Sequence, residues 1–439
     1  MKKYDNYKDS GIEWIGDIPS NWSSTKLKFH TKKIIDGAHF TPTYIEKSND
    51  SIPFLRVTDL HSKEILLDEV KYIPTSEHQE LIKRCNPEVG DLLLSKNGTI
   101  GLMKIIDWDW EFSIFVSLCL LKFEKTLLNK FFFYFFESNI VDRQLFESSQ
   151  KTSVSNLHLE KIKELRLTLP PIEEQTTIAN YLDHKTTQID TLIAKKEQFI
   201  ILLQEERTAV INQAVTKGLD PKVKMKDSGI EWLGEIPEHW EVKKLKFVSK
   251  ITRGAILRPV DEPSYFDDNG EWTYLNISDA TICDKYLDYG KLRLSELGST
   301  KSARVEPNNL IITASATIGK PFINKIPVCV HDGFIPITEL KVNIDFLYNY
   351  FKNPQLFNGL GKSNTQKNIY LEDVKNLIIP IPNLEEQLLI ARYIEEEIIR
   401  IETLISKSLQ EIELLKEYKT ALISEVVTGK VDVRDVILN

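Results

Sequence analysis

The chain has 439 residues, 42 % of them hydrophobic and 27 % charged, which is ordinary for globular domains and leaves room for more than one. It has no run of 18 apolar residues; the most apolar windows, Phe131–Phe136 and Ile311–Ile323, are too short or too polar for a bilayer span. The net charge of −8 does not announce a polyanion binder, and four scattered cysteines (Cys85, Cys119, Cys283, Cys329) form neither a CxxC nor a disulfide framework.

The N-terminal stretch MKKYDNYKDS carries lysines but no following apolar segment, so no secretory signal is expected and the cytosol is the expected compartment. Asp9–Phe29 reads DSGIEWIGDIPSNWSSTKLKF. Asp227–Phe247 reads DSGIEWLGEIPEHWEVKKLKF, 218 residues later, with 14 of 21 positions identical. A match this long, and rich in Trp, Gly and Pro, marks two tandem copies of one unit. Basic stretches free of acids accompany both copies: Lys26, Lys28, His30, Lys32 and Lys33, then Lys243, Lys244, Lys246, Lys250, Arg253 and Arg258. They fit either lysine-guarded strand edges or a phosphate-contacting surface.

In the first copy Pro53–Leu60 and Gly90–Ile106 read as short strands broken by Gly and Asn turns, and Leu127–Glu147 as a helix whose phenylalanines face a core. The second copy repeats the plan with Trp272–Asp279, Asn309–Gly319 and a helix over Phe346–Gly359. A further repeat pairs Ser155–Gln175 with Lys367–Gln387. Each half ends in a proline-marked turn and Glu-Glu-Gln, then a long helical pattern. Acids in the first turn face the positive end of the helix dipole.

The long helices are predicted from about Ile172 to Lys217 and from about Leu384 to Thr428. Apolar residues recur every three or four positions: Ile178, Leu182, Ile189, Leu192, Phe199, Leu203, Val210 and Ala214, then Ile390, Ile394, Ile401, Ile405, Ile412, Leu415, Leu422 and Val426. Lys185, Lys196 and Glu206 interrupt the first seam. Neither helix can bury its stripe alone, and the simplest partner for one is the other. The Gly218-Leu219-Asp220-Pro221 break ends the first helix. The expected organisation is a first domain at 1–171, a spacer helix at 172–218, a second domain at 219–383, and a second helix with the tail at 384–439.

No catalytic constellation stands out. GLGKS (Gly359–Ser363) lacks the leading glycine of a phosphate loop, which would fall at Leu356. Asn353-Pro354-Gln355-Leu356 is not the Asn-Pro-Pro-aromatic loop that adenine methyltransferases place around a flipped base. The eight histidines show no metal-ligand spacing. What remain are polar turn segments at matching places: Asp36–Pro42 against Arg253–Ala255, Ser95–Thr99 against Thr313–Thr317, and Gln150–Ser153 against Lys362–Gln366. They carry the side chains that read base edges and hold phosphates, and they differ between copies while the framing sequence is kept.

These motifs resemble the specificity subunit, HsdS, of type I restriction–modification enzymes: the GIEWxGxIPxxW openings, DGAHFTP, GDLLLSKNGTIG and NLIITASATIG, LPPIEEQ and IPNLEEQ, and the closing AVINQAVTKGLD and ALISEVVTGKVD. The resemblance implies an α+β protein: two pseudo-symmetric mixed α/β target-recognition domains separated by a long antiparallel two-helix coiled coil. It implies a non-catalytic DNA reader with one half-site per domain, the half-sites about one helical turn apart. The implied partners are double-stranded DNA, two HsdM methyltransferase subunits and HsdR restriction subunits. No cofactor is implied for this chain; S-adenosylmethionine, ATP and magnesium belong to the partners. Expected phosphate contacts are Lys32, Lys33, Arg253 and Arg258. Expected base readers are His39, Thr41, Arg56, Asn97, Thr99, Asn276, Ser315, Thr317, Asn364 and Gln366, and Lys96, Lys151, Thr152 and Lys362 complete the DNA-binding set. The second copy has RGAILRP where the first has DGAHFTP, so contacts do not transfer to Ile256 and Leu257. The alternatives are an enzyme with its own nuclease or methyltransferase site and a coiled-coil adaptor without DNA readout.

Overall fold

The structure is a computed structural model and describes residues 2–61, 64–147, 157–315, 318–357 and 369–438. Backbone contacts divide it into two units, Met1–Lys196 with Leu409–Asn439, and Glu197–Ser408. Each unit takes half of each long helix, Ile172–Lys217 and Leu384–Val427.

In the first unit an antiparallel sheet runs in the order Thr31–Asp36, Leu118–Phe123, Leu92–Ser95, Met103–Ile105. A second sheet pairs Ser51–Leu55 antiparallel with Lys71–Pro74 and parallel with Ser113–Ile114. The core collects Leu92, Leu94, Leu121 and the phenylalanines of the Asn129–Phe136 helix, with Ile178, Leu182 and Ile189 of the first long helix and Leu422, Val426 and Val427 of the second. In the second unit Lys250–Ile251, Phe334–Thr338, Leu310–Thr313 and Pro321–Asn324 form the matching antiparallel series, extended by a parallel strand at Tyr286–Leu287. Trp272–Leu275 lies parallel to Val328–Val330, as Ser51–Leu55 does to Ser113–Ile114. Its core draws on Ile211, Ala214 and Val215 of the first long helix and Ile390 and Ile394 of the second.

The Glu-Glu-Gln motif fastens each domain to its long helix. Gln175 is fully buried; its amide accepts from the Leu128 N–H at 2.7 Å and donates to the carbonyls of Thr126 at 3.0 Å and Pro170 at 2.9 Å. Gln387 repeats this with the Asn343 N–H at 2.7 Å and the Pro382 carbonyl at 2.8 Å. The acid before each glutamine holds the repeated opening. Glu174 takes hydrogen bonds from Tyr4 at 2.6 Å and Asn21 at 3.2 Å, and Glu386 takes them from Trp240 at 3.0 Å and His239 at 2.9 Å. The far end of each duplicated opening, at Asn21 and at His239–Trp240, is therefore a socket for the helix N-terminus.

Within each unit the long-helix segments run antiparallel. Lys419 meets Asp190 at 2.8 Å and Lys196 meets Glu411 in the first; Arg400 meets Glu206 at 2.6 Å and Arg207 meets Glu402 at 3.4 Å in the second. Of the first helix's apolar stripe, Ile178, Leu182, Ile189, Leu203 and Ala214 are buried while Leu192 and Phe199 are exposed. The contact is narrower than a full two-stripe seam, and Lys196, one of its interruptions, lies where it can reach a carboxylate.

Three expected elements are shorter than their patterns. The strand over Pro53–Leu60 ends at Leu55, because Arg56 starts a short helical turn, Val57–Leu60. The helix over Leu127–Glu147 breaks after Phe136. The buried Ser138 turns its hydroxyl to the Phe135 carbonyl at 2.5 Å, and the Asn139 N–H goes to Ser424 at 3.1 Å. The helix expected to reach Gly359 is Ile344–Phe351, with a separate turn at Pro354–Phe357; proline cannot supply the N–H that would continue the ladder.

Candidate nucleic-acid interface

The described parts of the polar turn segments gather at one end of each domain's sheets. In the first unit a capped turn brings Arg56 there: the Arg56 N–H donates to Asp59 at 2.7 Å, and the guanidinium folds onto the same carboxylate at 3.3 Å. The neighbouring Val57 N–H donates to the Ser117 hydroxyl at 3.3 Å, and the Ser117 carbonyl accepts from the Lys96 N–H at 2.9 Å. Thr99 is exposed and meets His61 at 3.2 Å. Asn97 is half-buried, and its side-chain oxygen is itself buried with no hydrogen-bond partner among the described residues.

At the centre lies Asp36. Its carboxylate, 6 % exposed, faces the Lys96 ammonium at 3.0 Å, the Arg84 guanidinium at 2.7 Å and His39 Nε2 at 3.0 Å. Burial pushes the Asp36 carboxyl up, but the hydrogen bonds from His39 and Lys96 outweigh it and hold the group below the ordinary carboxylate range. Arg84 also donates to the Gly37 carbonyl at 3.2 Å. Lys96 is thus a buried cation with an internal partner. Lys33 likewise has an internal partner, the Arg84 carbonyl. Lys32, His39 and Thr41 are exposed.

The second unit repeats the backbone and changes the side chains. Gly37 and Gly254 hold the same place. Each N–H bonds across the sheet, to Leu118 at 3.2 Å and to Phe334 at 3.1 Å. A Cβ added to either would fall 2.0 Å from the Ile114 carbonyl oxygen or 1.8 Å from that of His331. Lys96 and Ala314 also coincide. The Leu157 N–H reaches the Lys96 carbonyl at 2.7 Å, and the Ile369 N–H reaches that of Ala314 at 3.1 Å. Asn276 stands where Arg56 does, its N–H on Asp279 at 2.9 Å at the start of the Ile277–Ile282 helix. Arg253 therefore occupies the position of Asp36, and Ala314 that of Lys96. Arg253 is exposed, with Asp332 at 4.0 Å, and Arg258 is exposed. Ser315 is half-buried, facing Gly333. Lys151, Thr152, Thr317, Lys362, Asn364 and Gln366 lie outside the described residues.

Sequence reasoning did not find Arg84, His61, His331 or Asp332 as members of these clusters. Arg84 is the last residue of the Thr75–Arg84 helix, 48 positions from its partner, and nothing local marks the pairing. Among the described residues no group of three or more His, Cys, Asp or Glu side chains is placed to hold a metal ion, and no helix is long and apolar enough to cross a membrane.

The family model for the type I restriction modification DNA specificity domain matches twice, over residues 28–200 and 237–414. The chain belongs to the type I restriction–modification specificity family. Its relatives include the putative MjaX specificity subunit of Methanocaldococcus jannaschii, 26 % identical with 98 % of each chain covered. The EcoBI specificity subunit of Escherichia coli is 26 % identical over 88 % of this chain and 81 % of its own. The HsdS subunit of Thermoanaerobacter tengcongensis shares the fold with a TM-score of 0.60 at 16 % identity, over 94 % of this chain and 98 % of the other. A chain from a structural study of complex assembly in a type I restriction–modification system reaches 0.69, also at 16 %, over 94 % and 99 %. As a member of this family the chain serves DNA recognition, and the relatives are named as the specificity subunits of type I restriction enzymes.

Proposed function

We propose that the chain reads a bipartite DNA site, one half-site per domain, and that its loop-end clusters face the DNA. The observation that carries this reading is the duplicated frame with unlike contents: the same backbone bonds present Asp36, Lys96 and Arg56 in one copy and Arg253, Ala314 and Asn276 in the other. Two readers of one sequence would have no need to differ there.

In this reading Lys32, Lys33 and Arg258 contact phosphate. His39, Thr41, Arg56, Asn97, Thr99, Asn276 and Ser315 read or frame base edges, and Lys96 positions His39 through Asp36. Thr317, Asn364 and Gln366 are assigned to bases, and Lys151, Thr152 and Lys362 to the same DNA surface. The long helices set the half-sites about one helical turn apart. Two HsdM methyltransferase subunits and HsdR restriction subunits assemble on the chain in the cytoplasm. They supply the S-adenosylmethionine, ATP and magnesium chemistry, and this chain holds no cofactor of its own.

The test is sequencing of methylated sites in cells that express this chain with its methyltransferase partner. A split motif with unlike halves is expected. A single undivided motif, or methylation without sequence preference, would overturn the reading.

A further inference from the structure

The charge inversion at the 36/253 position carries a specific consequence. In the first domain the buried Asp36 is closed off by Lys96, Arg84 and His39, so its oxygens are not available to a ligand. In the second, Ala314 has no cation to offer, and the residue beside Gly254 is an arginine whose side chain is 57 % exposed. The chain on either side of Arg253 is tied into the sheet, by the Thr252 N–H to the Pro336 carbonyl at 3.1 Å and the Gly254 N–H to the Phe334 carbonyl at 3.1 Å. A fixed backbone suits a contact that needs a set position more than one that only needs positive charge.

The neighbour of Arg253 is also informative. Asp332 stands 4.0 Å from the guanidinium, with its own side chain 45 % exposed. His331 Nδ1 lies 3.6 Å from Asp332, but it accepts from the Gly333 N–H at 2.9 Å, and burial lowers the affinity of the ring for a proton more than Asp332 raises it. A carboxylate here opposes a phosphate. It suits a base edge that presents a donor. The guanidinium offers only donors and the carboxylate only acceptors. In the major groove guanine shows two acceptors, N7 and O6, and its paired cytosine shows one donor, the N4 amino group.

We infer that Arg253 and Asp332 together read one G·C pair in the second half-site, Arg253 donating to guanine O6 and N7 and Asp332 accepting from cytosine N4. This rests on the two-reader function above and replaces the phosphate role that the basic stretch assigns to Arg253. Among the described residues the first domain has no equivalent pair.

The test compares wild type, Arg253→Ala and Asp332→Ala in the methyltransferase complex, by sequencing methylated sites and by binding to duplexes. Alanine removes each contact altogether: a lost phosphate contact weakens all sequences alike, and a lost base contact relaxes one position. The expected result is a relaxed preference at one G·C position of the second half-site in both variants, with the first half and the other positions kept. Discrimination at that position should fall by about 5- to 150-fold. Replacing that guanine with 7-deazaguanine should weaken wild type and leave Arg253→Ala nearly unaffected. Uniform loss over all sequences, or a second half-site without a fixed G·C pair, would overturn the inference while leaving the two-reader function standing. Loss of the split motif in wild type would instead sink that function.

Discussion

Replacing Asp36 by Asn should be among the most damaging single changes in the first unit. The substitution keeps the shape and removes the charge that Lys96 faces. The Lys96 side chain is 8 % exposed and has little water to turn to. Removing one partner of a buried pair costs about 3–5 kcal/mol, chiefly because the other charge is stranded. Arg84 and His39, 51 % and 57 % exposed, can rehydrate and add little. Hydrogen exchange of the Leu92–Ser95 and Leu118–Phe123 strands reports the stability of this unit without averaging over the second. Their slowest amides should exchange roughly 100- to 4,000-fold faster in Asp36→Asn. Lys96→Met should cost less, since Asp36 keeps Arg84 and His39. The double variant should be more stable than Asp36→Asn alone, because no stranded charge remains. A cost under about 1 kcal/mol for Asp36→Asn, or simple additivity in the double variant, would refute the buried-pair reasoning.

Gln175→Leu and Gln387→Leu should each destabilise their own unit by about 2–5 kcal/mol, because buried N–H and carbonyl groups lose their partner; denaturant unfolding with hydrogen exchange would assign the loss to one unit. Gly254→Ala should disrupt the Lys250–Ile251 edge of its sheet, since its Cβ would sit 1.8 Å from the His331 carbonyl oxygen; an unchanged exchange pattern there would contradict the placement. Acid should loosen the first domain. The Lys26 and Lys28 hydrogen bonds hold the Glu164 carboxyl down at about 2, and Asp36 is also held low. A depressed carboxylate stabilises above its unfolded value, near 4, and the contribution fades as pH falls through the folded value. Glu164→Gln should therefore narrow the stability difference between pH 5 and pH 2; an unchanged acid profile would count against the Lys26–Glu164–Lys28 bridge.

The frame of this fold is legible in the chain because it is periodic or repeated. The long helices announce themselves by three-and-four spacing from Ile178 to Ala214 and from Ile390 to Val426, with Glu-Glu-Gln at the start. Leu192 and Phe199 fit that spacing and are exposed, because periodicity does not say how many stripes a partner covers. The break after Phe136 had a local signal in Glu137-Ser138-Asn139, which interrupts the apolar pattern; its long-range partner did not, since the Asn139 N–H goes to Ser424, 285 positions away. The loop ends were locatable from unlike segments between alike ones. Their internal wiring was not: Asp36, Arg84 and Lys96 meet only across the sheets, and two of those three look like free surface charges in the sequence.

The central claim is that each domain reads its own half of the DNA site. Its most direct test exchanges residues 30–150 for those of a relative with a different target and sequences the methylated sites of the resulting complex. One half of the motif should change to the relative's and the other should stay as it was. A change in both halves, or in neither, would contradict the account.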